Sequence, residues 1–193
     1  MHNSTRAAVD VRTVTLQDET RLRAMFSRLS PETIYLRFHM PYPGVPEWML
    51  GIFLNPGDGQ SLVAVAGDEI VGHAMYVRTD GGREAEAAIV VEDAWQSRGI
   101  GKLLLGRLAG MARGRGIEAF DFEVLGENRR MLGLADAVFS ETRRRMKDGS
   151  HHVRAFVTRP SKHPGLGPPK KRRAMSAHRI GATSFKAEKG RRW

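Results

Sequence analysis

The 193-residue chain has no cysteine. That removes a thiol nucleophile, a thiolate metal site, a redox dithiol and any disulfide, and a reducing compartment, the cytoplasm, is the expectation. Long apolar runs are missing too. No stretch approaches the roughly 20 apolar residues that a helical membrane crossing takes, and Met1 to Asp10 has no apolar core of a secretion signal. The chain therefore reads as soluble, without a membrane partner. Acidic residues are scarce in one region only. From Pro160 onward a single one, Glu188, stands against ten Lys and Arg, whereas up to Arg159 there are 20 acidic and 21 basic residues. The formal charge of +10 thus belongs almost wholly to the end of the chain.

That end also holds Pro160, Pro164, Pro168, Pro169 and the run Lys170-Lys171-Arg172-Arg173, with no sustained apolar period. Such a composition cannot bury enough surface to offset its ordering entropy. Two regions follow: a folded domain over 1–159 and a basic, disordered tail over 160–193. The tail would give at most salt-dependent attraction to nucleic acid or another polyanion.

Within 1–159, Val11 to Leu16 reads as a short strand, and Asp18 as the N-cap of a helix carrying Leu22, Met25, Phe26 and Leu29. Ser30-Pro31-Glu32-Thr33 starts a second helix, and Pro46 opens a third with Trp48, Met49 and Ile52. Ser61 to Ala66 and Ile70 to Arg78 form a hairpin around Gly67-Asp68-Glu69. A further strand, Ala85 to Glu92, is apolar enough at Ile89, Val90 and Val91 to suggest burial on both faces. Helical spacing returns at Ile100, Leu103, Leu104, Leu108 and Met111 and stops at Gly114 and Gly116. Then come a strand at Ile117 to Leu125, a helix at Asn128 to Val138, and a hairpin of Phe139 to Met146 with His152 to Thr158 around Lys147-Asp148-Gly149-Ser150.

The chemistry concentrates where the strand ending at Glu92 meets the helix starting near Ile100, through Trp95-Gln96-Ser97-Arg98-Gly99-Ile100-Gly101-Lys102. A strand that turns through glycines into a helix leaves backbone N–H groups without partners and aims them, with the positive helix end, at one point. A phosphate fits there, and the glycines at 99 and 101 would let the backbone come close to it. Two other phosphate loops are ruled out. A P-loop requires Gly at position 96 and Ser or Thr at 103, which hold Gln96 and Leu103, and a dinucleotide fingerprint requires Gly at 104, which is Leu104.

Gln96-Ser97-Arg98-Gly99-Ile100-Gly101 resembles the Gln/Arg-x-x-Gly-x-Gly/Ala signature of the GNAT N-acetyltransferases, and Trp95 before it is typical of them. The order of elements over Val11 to Arg159 is similar as well. The segments Ser30 to Phe38 and Ala85 to Val91 look most like those of bacterial Pat-type protein lysine acetyltransferases. The resemblance implies an α/β (α+β) fold with a mixed, mostly antiparallel central sheet flanked by helices and splayed at the cofactor-binding strand. It implies acetyl-CoA as cosubstrate, no metal, and transfer of the acetyl group to a primary amine by direct attack with general-base help.

An acceptor that is an ammonium at neutral pH must lose a proton first. The resemblance makes Glu86 the candidate base, since Pat-type enzymes place theirs in this strand, with Glu84 and Glu92 in reserve; burial between apolar neighbours would raise its pKa toward a useful value. The resemblance further assigns an oxyanion donor to the backbone of Val90 or Val91 beside a strand bulge, and the pyrophosphate to the amides of Gln96, Ser97, Arg98, Gly99, Ile100, Gly101 and Lys102. Asn128 would touch the pantetheine arm or simply cap its helix. A thiol-protonating Tyr, common in the family's last helix, is missing from Met131 to Phe139, and the usual Leu-Gly-Phe is Ala137-Val138-Phe139. His39 and His73 read as structural, and His151-His152 as surface. The acceptor stays open between a protein lysine and a small amine such as a polyamine, amino acid or antibiotic. A non-catalytic acetyl-CoA sensor or nucleic-acid module is the other alternative.

Overall fold

Alternating apolar residues build a seven-stranded sheet in the order β1-β2-β3-β4-β5-β7-β6. The computed structural model describes residues 8–41 and 45–158; the basic segment 160–193 lies outside them. β1 (Val9–Thr13) leads through a 3-10 turn into α1 (Glu19–Ser27), α2 (Pro31–Phe38) and α3 (Glu47–Leu54). β2 (Gly59–Ala66), β3 (Glu69–Arg78) and β4 (Glu84–Val91) form an antiparallel meander. After α4 (Ile100–Gly114) come β5 (Ala119–Leu125), α5 (Arg129–Val138), β6 (Thr142–Lys147) and β7 (Ser150–Phe156). Among the described residues no helix is long and apolar enough to cross a membrane.

The side-chain period of two sends alternate residues to opposite layers. Leu62, Ala74, Tyr76, Ala85, Ala87, Phe120, Phe122 and Val153 pack with Leu104, Leu105 and Leu108 of α4 and Ala135 of α5. Val63, Ile70, Met75 and Val90 pack under Leu22, Met25 and Phe26 of α1, Phe38 of α2 and Leu50 and Phe53 of α3. No residue of β5, β6 or β7 joins that second core, so the three strands carry α4 and α5 on one face only.

Every neighbouring strand pair is antiparallel except β4 and β5. Those two are parallel and pair only at Glu84↔Ala119, Ala85↔Phe120 and Glu86↔Asp121. Beyond Glu86 they part. The residues of β4 that a neighbour would have covered, Ile89 and Val91, are accordingly half-buried rather than enclosed on both faces as the run of apolar residues suggests. The expected bulge in β4 is also not there. Its register with β3 runs without a shift from Arg78↔Ala85 to Gly72↔Val91, and the irregularity lies in β2, between Ala64 and Val65.

Two boundaries differ from the sequence expectation for identifiable reasons. Phe139 caps α5 and packs against Phe120 and Phe122, so the last hairpin begins at Thr142. Lys147 pairs with Ser150, which leaves a two-residue turn of Asp148 and Gly149 with φ of 50° and 81°. Positive φ at both central residues is what suits a tight hairpin to the strand twist.

The entry to α1 is held by charge. Asp18, nearly buried, takes both ends of the Arg12 guanidinium at 2.7 Å and the Thr15 N–H at 2.8 Å. The Arg12 hydrogen bond outweighs the desolvation penalty and holds the Asp18 carboxyl down at about 2, against an ordinary 3.8. A depressed carboxylate stabilises the fold above its unfolded pKa and loses that contribution as pH falls through the folded one. Asp18→Asn should therefore cost about 2 kcal/mol at pH 7. The difference from wild type should shrink between about pH 4 and pH 2, as read by urea unfolding across that window.

Candidate active site

Where β4 and β5 part, a cleft of about 490 Å³ opens between the two layers. Its walls come from α2 (Glu32, Arg37, His39), the edge of β4 from Glu86 to Val91, the loop after it, and α5 with its cap (Asn128, Met131, Leu134). It gathers Glu86, Val90, Val91, Gln96, Ser97, Gly99, Gly101, Lys102 and Asn128 from the sequence-derived set. Arg98 and Ile100 stay out of the lining. Arg98 stacks over the Trp95 ring at 5.0 Å, and Ile100 is buried in the α4 core.

The loop works through its backbone. Leu103 makes the first helical hydrogen bond, to Gly99 O at 3.0 Å, and the amides of Trp95 and Gln96 are taken by Glu92 O and Asp93 O. For the N–H groups of 97–102 no backbone acceptor exists among the described residues. Ser97 and Gly99 both have left-handed φ, 59° and 86°, on either side of Arg98. Successive donors turned to one side in this way make an anion-binding concavity at a helix start. A left-handed Ser is costly, and its strain is held by the surrounding contacts.

The two glycines do different work. Gly99 needs its freedom for φ 86°, although a Cβ there would meet nothing within 4 Å. A Cβ at Gly101 would meet Leu134 Cδ2 at 3.2 Å and Ile89 Cδ1 at 4.0 Å. Gly101 therefore sets the close approach of α4 to α5 and β4, instead of clearing a path to an anion.

Gln96 is a brace. Its Nε2 donates to Val91 O (3.1 Å) and Thr33 Oγ1 (3.2 Å), and its Oε1 accepts from Arg130 (2.6 Å). Since its amide also goes to Asp93 O, Gln96 offers no backbone donor to an anion, a correction to its place among the phosphate-binding amides. Asp93 adds a second brace, accepting from Ser30 N, Ser30 Oγ and Thr33 Oγ1 at 2.9, 2.7 and 2.8 Å. Burial opposes its charge, but the hydrogen bonds from Ser30 and Thr33 prevail and lower its pKa. The Ser30-Pro31-Glu32-Thr33 motif thus clamps α2 to the loop.

Main-chain donors also face the gap from β4. Glu92 N donates to Val71 O at 2.9 Å. Antiparallel partners alternate between bonded and non-bonded pairs, so Val90, opposite His73, directs its amide into the β3 ladder, while those of Ile89 and Val91 point toward the parted β5. Of the two oxyanion candidates, only Val91 has the right direction. Asn128 Oδ1 caps α5 by accepting from Met131 N at 3.1 Å, which leaves its amide NH2 as the group able to reach the cleft.

On the α2 side the cleft is charged. Glu86 shares its face of the sheet with Glu123 of β5, which lies 3.9 Å from His39 Nδ1. Burial lowers the His39 pKa, with Arg37 adding to the effect and Glu123 opposing it. The Arg37 Nε and Nη2 are buried without a hydrogen-bond partner among the described residues. Desolvation takes that guanidinium down to about 10, with the Glu86 charge pulling the other way. From the sequence alone Arg37 and Glu123 have no site role and His39 reads as structural, because only the fold brings the end of α2 over β5. The reserve carboxylates are occupied elsewhere: Glu84 by Arg154 (2.8 Å) and Glu92 by Arg28 (2.9 Å). His73, fully buried, bonds Ser61 Oγ at 2.8 Å and packs at a tilt against the Phe53 ring, with ring centres 4.8 Å apart, a core role.

Residues 22–139 match the family model for the acetyltransferase (GNAT) family. The chain belongs to the GNAT acetyltransferases. Among solved structures it is similar to the GNAT domain of S. lividans Pat, with 30% identity, 77% of this chain and 90% of that one covered, and a TM-score of 0.71. Two others share the GNAT fold. The YncA putative acetyltransferase of Salmonella typhimurium, solved with its cofactor acetyl-CoA, has 17% identity, coverage of 82% and 97%, and a TM-score of 0.61. The PaiA N-acetyltransferase of Thermoplasma acidophilum, solved with coenzyme A, has 15% identity, coverage of 76% and 97%, and a TM-score of 0.59.

For this GNAT protein the loop conformation is testable directly. Gly99→Ala forces a non-glycine residue to φ 86° and should cost about 1–2 kcal/mol, a Tm fall of roughly 2–8 °C, together with weaker coenzyme A binding by calorimetry. Gly101→Ala asks only the flexible Leu134 end to yield and should leave a much smaller change in both.

Proposed function

We propose that this acetyltransferase moves the acetyl group of acetyl-CoA to a primary amine, and that the amine is a lysine side chain of a protein. The observation that carries the reading is one cleft joining the N–H groups of 97–102, which have no backbone acceptor among the described residues, to the carboxylates Glu32, Glu86 and Glu123 across the parted strands. The fit to coenzyme A rests on those donors. A diphosphate would be held by the concavity at Ser97 to Lys102, and an extended amide-bearing arm would pair with the open edge of β4 at Ile89 and Val91. Asn128 NH2 would reach the same arm. The thioester supplies an activated acyl carbon, and Val91 N–H is directed to hold the carbonyl oxygen as charge gathers on it.

The acceptor enters from the α2 side. Glu32, Glu86 and Glu123 attract a cationic amine, and Glu86, at the last paired residue of β4, is the base that removes its proton. Arg37 sits beside it and opposes accumulation of negative charge. The likeness of Ser30 to Phe38 to Pat-type lysine acetyltransferases, with the 30% identity to the S. lividans Pat domain, supports a lysine over a polyamine, amino acid or antibiotic. We place the reaction in the cytoplasm. The basic segment 160–193, outside the described residues, forms the second, auxiliary region and contributes salt-dependent attraction to polyanions.

Free CoA release with lysine peptides and with spermidine, each with acetyl-CoA, tests the reading. Peptides should be the better substrates by kcat/KM, and no release with any amine would reject it. Glu86→Gln should lower kcat by about 10²–10⁴-fold with KM for acetyl-CoA little changed. An unchanged kcat would transfer the role to another group, Glu123 being the first to examine.

A further inference from the structure

On the side of the sheet opposite α4 and α5, the end of α2 lies against Glu123 of β5, whereas His152 and Arg154 of β7 and Arg143, Arg145 and Lys147 of β6 belong to neither core among the described residues. The side chains there are sorted by charge. Next to the cleft stand Glu86 of β4 and Asp121 and Glu123 of β5; register then places Arg154 and His152 of β7 beside them, and Arg143 and Arg145 of β6 beyond. Arg154 is neutralised locally, bonding Asp121 at 3.0 Å and Glu84 at 2.8 Å. The edge strand is not. Arg145 and Lys147 are exposed and make no hydrogen bond or ion pair among the described residues. Arg143 is exposed, pairs with its near neighbour Glu141, and is propped over the Phe156 ring at 4.8 Å. Arg144 belongs to the other face, against Asp136 and Leu132 O.

From this pattern we propose that the face is the docking platform for the acceptor protein, and that its occupant is an extended segment whose lysine is flanked by acidic residues. The proposal rests on the lysine reading above and adds the recognition of what surrounds the lysine. A cationic side chain is drawn into the acidic end at Glu86 and Glu123, while the exposed cations of β6 require an anion further along the same ligand. A polyamine, cationic throughout, satisfies the first end and is repelled by the second.

The spacing follows from the sheet. β6 lies three strand intervals from β4, or about 14 Å at ~4.8 Å per interval, and an extended chain covers ~3.3 Å per residue. An acidic residue about three to five positions from the lysine therefore reaches Arg143, Arg145 or Lys147. Exposed charge contacts are individually weak and screened by salt, so two or three together predict roughly a 3- to 10-fold preference at low ionic strength.

The test measures kcat/KM by CoA release on the full chain. One peptide set has a central lysine and Asp or Glu at three to five residues on either side; matched peptides carry Ala or Lys there. Wild type should prefer the acidic set by roughly 3- to 10-fold, and 0.5 M salt should erase most of the preference. Arg143→Glu with Arg145→Glu should invert it, and Arg145→Glu alone, at an exposed side chain with no hydrogen bond or ion pair among the described residues, should reduce it. Acetylation of spermidine should not fall and KM for acetyl-CoA should stay unchanged in either variant. Equal rates on all peptides would overturn the platform and leave the lysine reading standing. Turnover of spermidine with no peptide acetylated would overturn both. A salt-sensitive preference that survives the charge reversals would assign recognition to other cations, those of 160–193 included, and overturn the proposal.

Discussion

β4 and β5 are hydrogen-bonded through three residue pairs and then diverge, and the site depends on that short pairing. A parallel ladder continued to Val91 would occupy the main-chain donors of Ile89 and Val91 and close the cleft. Because the strands part after Glu86, the edge of β4 stays open inside the protein, with α4 and α5 shielding it from one side and α2 from the other. Burying unpaired main-chain groups is costly. Here the groups of Ile89 and Val91 line an open cleft, where water can satisfy them.

The second requirement is that the loop at 97–102 hold its donors in place before anything binds. Two side chains do most of this. Gln96 ties the loop to β4, α2 and α5 at once, and Asp93 ties it to the start of α2. The left-handed Ser97 is held between these braces. In consequence α2, which with its cap brings Arg37 and His39 to the Glu86 side of the cleft, is mechanically part of the same unit as the loop at 97–102.

Much of this could be read from residues in order, because the informative patterns were local. The glycine loop, the meander before it and the alternation of helices and strands each lie in one short window, and the loop was enough to name the family. What escaped was set by register and packing. Whether Val90 or Val91 faces the gap depends on which partner of β3 it meets, and a one-residue difference reverses the answer. The role of Gly101 depends on Leu134, more than thirty positions away in the chain and adjacent only in the fold. Gln96 matches a binding signature by identity, yet its side-chain atoms are consumed by internal hydrogen bonds. Arg37 lies in the Ser30–Phe38 segment, but no sequence pattern joins it to His39 and Glu123; the turn after α2 and the parting of the sheet bring them together.

β6 has a further consequence, unrelated to catalysis. Among the described residues it is the outermost strand on its side, and one row of its peptide groups faces outward, a template on which a second molecule could add a strand. Four of its six residues are Arg or Lys, and two such strands brought edge to edge would set like charges in register. Like charges so placed disfavour the pairing of two such edges, a cost written into the periphery of the sheet.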